Sequence, residues 1–220
     1  MNLEQDVVFS PFGVPITSTV VTTWAMVAVL SAVAIVAGRR IRERPSGWQS
    51  VAEWGTRALT GMIEETTGRA GWPFLPLVAS LGIFIVVANA LPMLPFVEAP
   101  TADVNTPVAL ALLVFCASPY YGIRELGLLG YLRKFAEPVP FLVPINILHY
   151  VSRTFSLAIR LFGNMISHQL IVAIILLILP LVVPVILEVF GLFIGILQAY
   201  IFIVLTTVYL GAAVQAEEAI

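Results

Sequence analysis

Charge is scarce in this sequence. Only 11% of its 220 residues are charged, while 60% are hydrophobic and the mean hydropathy is +1.00. Soluble domains devote about a quarter of their residues to charge, so this balance excludes a large soluble domain and indicates a polytopic membrane protein. Cysteine is scarcer still. Cys116 stands alone inside an apolar segment, which excludes a disulfide framework and a cysteine-based metal centre and implies a small buried hydrophobe. Basic residues are missing from the first 38 positions, whereas a signal peptide carries its positive charge ahead of its apolar run. HExxH, paired-Asp and GxSxG motifs are absent, which leaves an intramembrane hydrolase without chemical support. His149 and His168 are too far apart on one helix, about 28 Å, to share an ion. There is no basic patch for nucleic acid and no internal repeat of the kind many transporters carry.

What the chain does have is long apolar runs. Spanning about 30 Å of hydrocarbon takes about 20 apolar residues in a helix. The segments 16–37, 73–95, 104–122, 141–178 and 182–213 all qualify. Between the first two lies 46–71, with Trp48, Val51, Trp54, Ala58 and Ile63 at helical spacing and charges between them. It is too polar to span and reads as a cytoplasmic interfacial helix, with a solvated linker helix as the alternative. The fold class is therefore an all-α polytopic membrane protein. It is a single membrane domain, 1–220, made of an N-terminal span (1–38), the interfacial helix (46–71), a helical pair (73–122) and a long tilted C-terminal hairpin (141–213). Pro180 and Pro184 mark the tip of that hairpin, because neither fits mid-helix.

Basic residues set the orientation. With the N-terminus outside, Arg39, Arg40, Arg42, Arg44, Arg57, Arg69, Arg124, Arg133 and Lys134 all fall in cytoplasmic segments, as the positive-inside rule requires. The other two, Arg153 and Arg160, lie within the fourth span. A charge at mid-membrane costs about 2.5–3.5 kcal/mol on insertion scales and normally faces a cavity or a partner. At about 100° per residue, His149, Arg153, Arg160, Asn164 and Ser167 form one polar stripe, flanked by His168, with Gln169 on the opposite side. Such a stripe suits an aqueous or ion-conducting face. On the last span, Glu188, Gly191, Gly195, Phe202, Thr206 and Tyr209 gather around Gln198 in the same way. The two glycines permit close helix approach or leave room for water. A carboxyl such as Glu188 in an apolar setting suits proton exchange.

The stretches SLAIRLFGNM (156–165), ILQAYIFIVLTTVYL (196–210) and PTADVNTPVALAL (100–112), with VVANALPMLP (86–95) and FLVPINILHYVSRTFSL (141–157), resemble subunit a of the F-type ATP synthase membrane sector. The resemblance implies a stator subunit, non-catalytic by itself, that forms two offset ion half-channels against a rotating ring of c subunits. It couples proton or sodium translocation to ATP synthesis or hydrolysis. The family's essential arginine falls on Arg160, where a permanent cation faces the ring carboxylate and blocks leakage between the half-channels. Asn164 and Gln198 fall near it, and Asn89, Asp103 and Asn105 near the outside half-channel. His168, Gln169 and Glu188 lie in the outside region but depart from the usual pattern. Many relatives carry an acid or histidine nine residues after the arginine, here Gln169. Many carry Glu or His seven residues before the glutamine, here Gly191. His149 stands on the cytoplasmic side where relatives commonly have Glu, and Pro92 where some have Asp.

These departures and the short N-terminal region suggest a divergent branch such as the N-type ATPases. The implied partners are the c-ring, the peripheral-stalk b subunits, the remainder of the synthase complex and membrane lipid. No resident cofactor or metal is implied, only translocated H+ or Na+, and the implied location is a bacterial inner membrane with the C-terminus cytoplasmic. The rival reading is an autonomous ion channel or secondary transporter.

Overall fold

The protein is seen in a computed structural model that describes residues 7–9, 16–41, 47–93, 100–136, 140–179 and 183–215. Five helices are long and apolar enough to cross a membrane: α1 (Ser18–Arg39), α3 (Leu75–Ala90, extended by a 3-10 turn at Leu91–Met93), α4 (Asn105–Ala136), α5 (Val143–Ile178) and α6 (Val183–Val214). A sixth, α2 (Gly47–Thr67), is the polar helix that the sequence places between the first two spans. The helical membrane body stands as read from the sequence. Ahead of it is a short antiparallel ribbon, β1 (Val7–Phe9) with β2 (Ile16–Thr17), in which Phe9 pairs with Ile16. Arg42, Arg44 and the hairpin tip at Pro180 lie outside the described residues.

Proline marks the helix starts. Pro76, Pro107, Pro144 and Pro184 each sit in the first turn of α3, α4, α5 and α6, where the missing N–H is no loss and the fixed φ suits the helix. Pro119 is the exception, deep inside α4. It leaves the Phe115 carbonyl without its helical donor, and the Tyr150 hydroxyl on α5 supplies the missing hydrogen bond at 2.5 Å. α4 also runs well beyond residue 122, where the sequence reading ends the helical pair. Its bend at Gly127, φ 72° and ψ 165°, is a conformation open to glycine, and it turns the segment carrying Tyr131 and Lys134 back towards α6.

α6 is the hub. It packs on α3, α4, α2 and α5. One buried cluster joins Leu81 and Ile85 of α3, Val114 of α4, Leu157 and Leu161 of α5, and Phe202 of α6. A second joins Ile63 of α2, Phe74 at the start of α3 and Val78 within it, and Leu210 and Val214 of α6. The second cluster corrects the expected apolar stripe of α2. Ile63 is fully buried against α3 and α6, while Trp48, Val51 and Trp54 are exposed. Cys116 is exposed too, contrary to the expected buried site. It shares its helix face with Leu112 and Tyr120, both exposed, one turn before and after.

Candidate functional site

The polar stripe on α5 does not form one continuous face. Its residues fall into three settings along the helix. Near the Glu188 end, Asn164 and His168 of α5 meet Glu188, Gly191, Gly195 and Gln198 of α6 and Asn89 of α3 around a cleft of only about 20 Å3. His168 Nε2 lies 3.5 Å from Glu188 Oε2. Asn164 Nδ2 donates to Gln198 Oε1 at 2.6 Å, and Gln198 is buried. Asn89 is buried as well. Its Nδ2 donates to the Gly195 carbonyl at 3.2 Å, and its Oδ1 accepts from Thr101 Oγ1 at 3.1 Å. A Cβ on Gly195 would come within 2.6 Å of the Asn89 Cβ, so the absent side chain is what lets α3 approach α6 this closely.

Near the other end of both helices is a much larger cavity, about 350 Å3, lined by His149, Arg153, Tyr209, Lys134, Tyr131 and Asn146 among others. The Arg153 guanidinium lies over the Tyr209 ring, 3.9 Å from its centroid, a cation–π geometry. Lys134 Nζ donates to the Gln215 carbonyl at 2.7 Å and to that of Ala212, which satisfies carbonyls that the end of α6 leaves without helical partners. Among the described residues, no carboxylate lines this cavity. Between the two openings, Leu157, Leu161, Ala199 and Phe202 are all at most 1% exposed. They form an apolar plug at the levels that separate Gln198 from Tyr209 and Asn164 from Thr154.

Arg160 belongs to neither cavity. It is half-buried beside an open groove on α5 lined by Val151, Ser152, Phe155, Ser156 and Ile159. Among the described residues it has no ion-pair or hydrogen-bond partner. A guanidinium that can't be deprotonated therefore stands at the level of the plug, on the surface of the bundle, without a counter-charge.

The sequence of the chain is matched by known proteins. The sequence profile described as "ATP synthase A chain" fits residues 20–211. The chain belongs to the ATP synthase A chain family. It is 45% identical over 212 residues to "ATP synthase subunit a 2" of Bradyrhizobium sp., covering 96% of this chain and 95% of that one. It is 41% identical over 222 residues to "ATP synthase subunit a 1" of Chlorobaculum parvum, covering 99% and 98%. "ATP synthase subunit a" of Nitrosospira multiformis is 41% identical over 217 residues, covering 97% and 86%. As a member of this family, the chain is a multi-pass membrane component of a synthase complex.

Within the ATP synthase A chain fold, the sequence-predicted residues divide cleanly. His168, Glu188, Asn164, Gln198 and Asn89 share the small cleft, while His149 joins Arg153 in the large cavity. Gln169 is half-buried and lines neither. Asp103 and Asn105 stand at the start of α4, where Asp103 is buried and fully engaged. It accepts from Thr19 Oγ1 at 2.9 Å, from the Asn105 amide N–H at 3.1 Å and from Asn105 Nδ2 at 3.0 Å. This set caps α4 and ties α1 to it. Sequence reasoning missed Thr101, Tyr150 and the capping role of Lys134. Only Pro119 signalled one of them, because a mid-helix proline always leaves a carbonyl in need of a donor.

Proposed function

We propose that this chain is the stator that passes ions between two half-channels and a ring of c subunits in a bacterial inner membrane, with Arg160 as the essential cation. One observation carries the reading. Arg160 is an unpartnered guanidinium on an open face, level with an apolar plug that separates two polar cavities at opposite ends of α5 and α6. A permanent cation there lacks a carboxylate from its own chain, and a mid-membrane acid on a neighbouring subunit supplies one. The arriving carboxylate is held ionised by the guanidinium and gives up its ion. The plug denies the ion a direct path, so it leaves only by travelling with the rotor.

The cleft at Glu188 serves the outside half-channel, through His168, Glu188, Asn164 and Gln198. The cavity at Arg153 and His149 serves the cytoplasmic one. Asn89, Asp103 and Asn105 hold the outer passage in shape, while Gln169 stands at its margin. Peripheral-stalk b subunits hold the chain against rotation. The orientation, N-terminus outside and C-terminus cytoplasmic, is supported by the clustering of the basic residues in one set of loops. Each elementary charge crossing 100 mV releases about 2.3 kcal/mol to drive this cycle.

The test compares wild type with Arg160→Ala in inverted membrane vesicles carrying the assembled complex, following ATP-driven uptake of protons and of sodium-22. The substitution is expected to abolish uptake while ATP hydrolysis by the complex survives. Uptake that continues unchanged in assembled mutant complex contradicts the proposal and favours an autonomous channel or carrier.

A further inference from the structure

We propose that the large cavity at the Lys134 end binds a phosphate group, with Arg153 as its chief ligand. The group is supplied by the headgroup of an anionic phospholipid or by free phosphate. This inference goes beyond the stator reading and shares with it only the placement of the cavity at the cytoplasmic end.

Arg153 is half-buried and lines the cavity. Its guanidinium lies over the Tyr209 ring, 3.9 Å from the centroid. The ring face fixes where the cation sits but supplies no acceptor oxygen. Among the described residues no hydrogen bond or ion pair takes up its N–H donors. A guanidinium held in this way is suited to bidentate contact with phosphate or carboxylate oxygens.

Lys134 brings a second cation to the same cavity. Its Nζ donates to the carbonyl of Gln215 at 2.7 Å and to that of Ala212, which hold the ammonium in place without cancelling its charge. Ser118 and the exposed His149 line the space too, and each can donate a hydrogen bond. Among the described residues the cavity has no carboxylate. Two cations gathered within a membrane body are costly unless an anion joins them. Phosphate is the anion whose shape answers this lining. It offers enough oxygens to meet a guanidinium, an ammonium and a hydroxyl together, whereas a carboxylate offers two. The cavity, about 350 Å3, has the room. Basic pockets between membrane helices on the cytoplasmic side are also where anionic headgroups bind. The bound charge offsets both cations, so an ion leaving by this end is no longer repelled.

The test is protection of a thiol in the intact complex, using Ala212→Cys in a Cys116→Ser background. Residue 212 lines the cavity and is exposed. A neutral maleimide is applied in phosphatidylcholine bilayers, and the labelling rate is read on the peptide that carries residue 212. Phosphatidylglycerol added to the bilayer is expected to slow labelling roughly tenfold, with inorganic phosphate having little effect. Slowing by inorganic phosphate alone keeps the site and names the free ion as its source. Arg153→Gln is expected to remove the protection and Arg153→Lys to keep part of it. Labelling that neither anion slows overturns the inference, and so does protection that survives Arg153→Gln. Protection that appears only in the double variant Glu217→Gln with Glu218→Gln, two acids outside the described residues, overturns it as well, because the chain's own carboxylates then fill the site. The comparison of the two anions with Arg153 intact decides even where a variant does not assemble. Ion uptake is not measured here, so failure of this site leaves the stator reading standing. Normal uptake in the Arg160→Ala complex would sink the stator reading and leave the phosphate site untouched.

Discussion

The two ends of the α5–α6 pair solve different problems with the same kind of polar residue. At the Glu188 end, a histidine, a carboxylate and three amides close on a space of about 20 Å3. At the Lys134 end, two bases, a histidine and several hydroxyls surround about 350 Å3, with no acid among the described residues. The first end is narrow, with Gly191 and Gly195 letting His168 and Asn89 approach α6 closely. The second is wide enough to hold bulk-like water, where selectivity is lost and only access matters. Between them the plug of Leu157, Leu161 and Phe202 keeps the two apart. Coupling then depends on the contrast, because an ion that leaked between the ends would do no work.

The largest way to break the contrast is to open the plug. Phe202→Ala removes a fully buried ring and is expected to cost about 3–5 kcal/mol of stability. A passive proton leak measured without ATP should rise, and the thermal midpoint of the complex should fall. At the narrow end, Gly195→Ala puts a methyl within 2.6 Å of the Asn89 Cβ. Overpacking of this kind costs about 1–3 kcal/mol, and ATP-driven uptake should drop before thermal stability does. At the wide end, Tyr150→Phe leaves the Phe115 carbonyl opposite Pro119 without its donor. That loss is expected to cost about 1–3 kcal/mol, read as a lower thermal midpoint with ATP-driven uptake largely kept, since the cavity there has room to spare. The smallest effect belongs to Cys116→Ser on the exposed face of α4. It should stay within about 0.5 kcal/mol of wild type and leave uptake unchanged.

Much of this contrast was legible in the sequence, and the part that was not has a physical reason. Run length and charge position identify five spans and set Arg160 apart, because the hydrocarbon thickness and the cost of a buried charge are properties of single segments. The α5 stripe illustrates the limit. Helical periodicity puts His149, Arg153, Arg160 and Asn164 on one side, but whether that side meets a cavity, a plug or an open groove depends on where α3, α4 and α6 lie. Gln169 and His168 are adjacent in sequence, yet only His168 reaches Glu188, a matter of how α6 is registered against α5. Gly191 shows the same thing from the other side. The family resemblance marks it as a glycine where many relatives carry Glu or His, and the fold shows the space filled from across the interface by His168. The stripe of α2 misleads for a related reason. Its apolar spacing is regular, but Ile63 is buried in protein while Trp48 and Trp54 are exposed, and spacing alone can't separate the two environments.

The central claim is that two passages enter from opposite ends, stop on either side of the plug at the level of Arg160, and do not meet within this chain. The most direct measurement is sided thiol labelling of the assembled complex in a Cys116→Ser background, with Leu192→Cys reporting on the narrow cleft and Ser118→Cys on the wide cavity. A membrane-impermeant reagent is applied to right-side-out and to inverted vesicles. The account predicts that Cys at 192 reacts only from the outside and Cys at 118 only from the cytoplasmic face. If either thiol reacts equally from both faces, or if both react from the same one, the two passages are continuous or misassigned and the account is wrong.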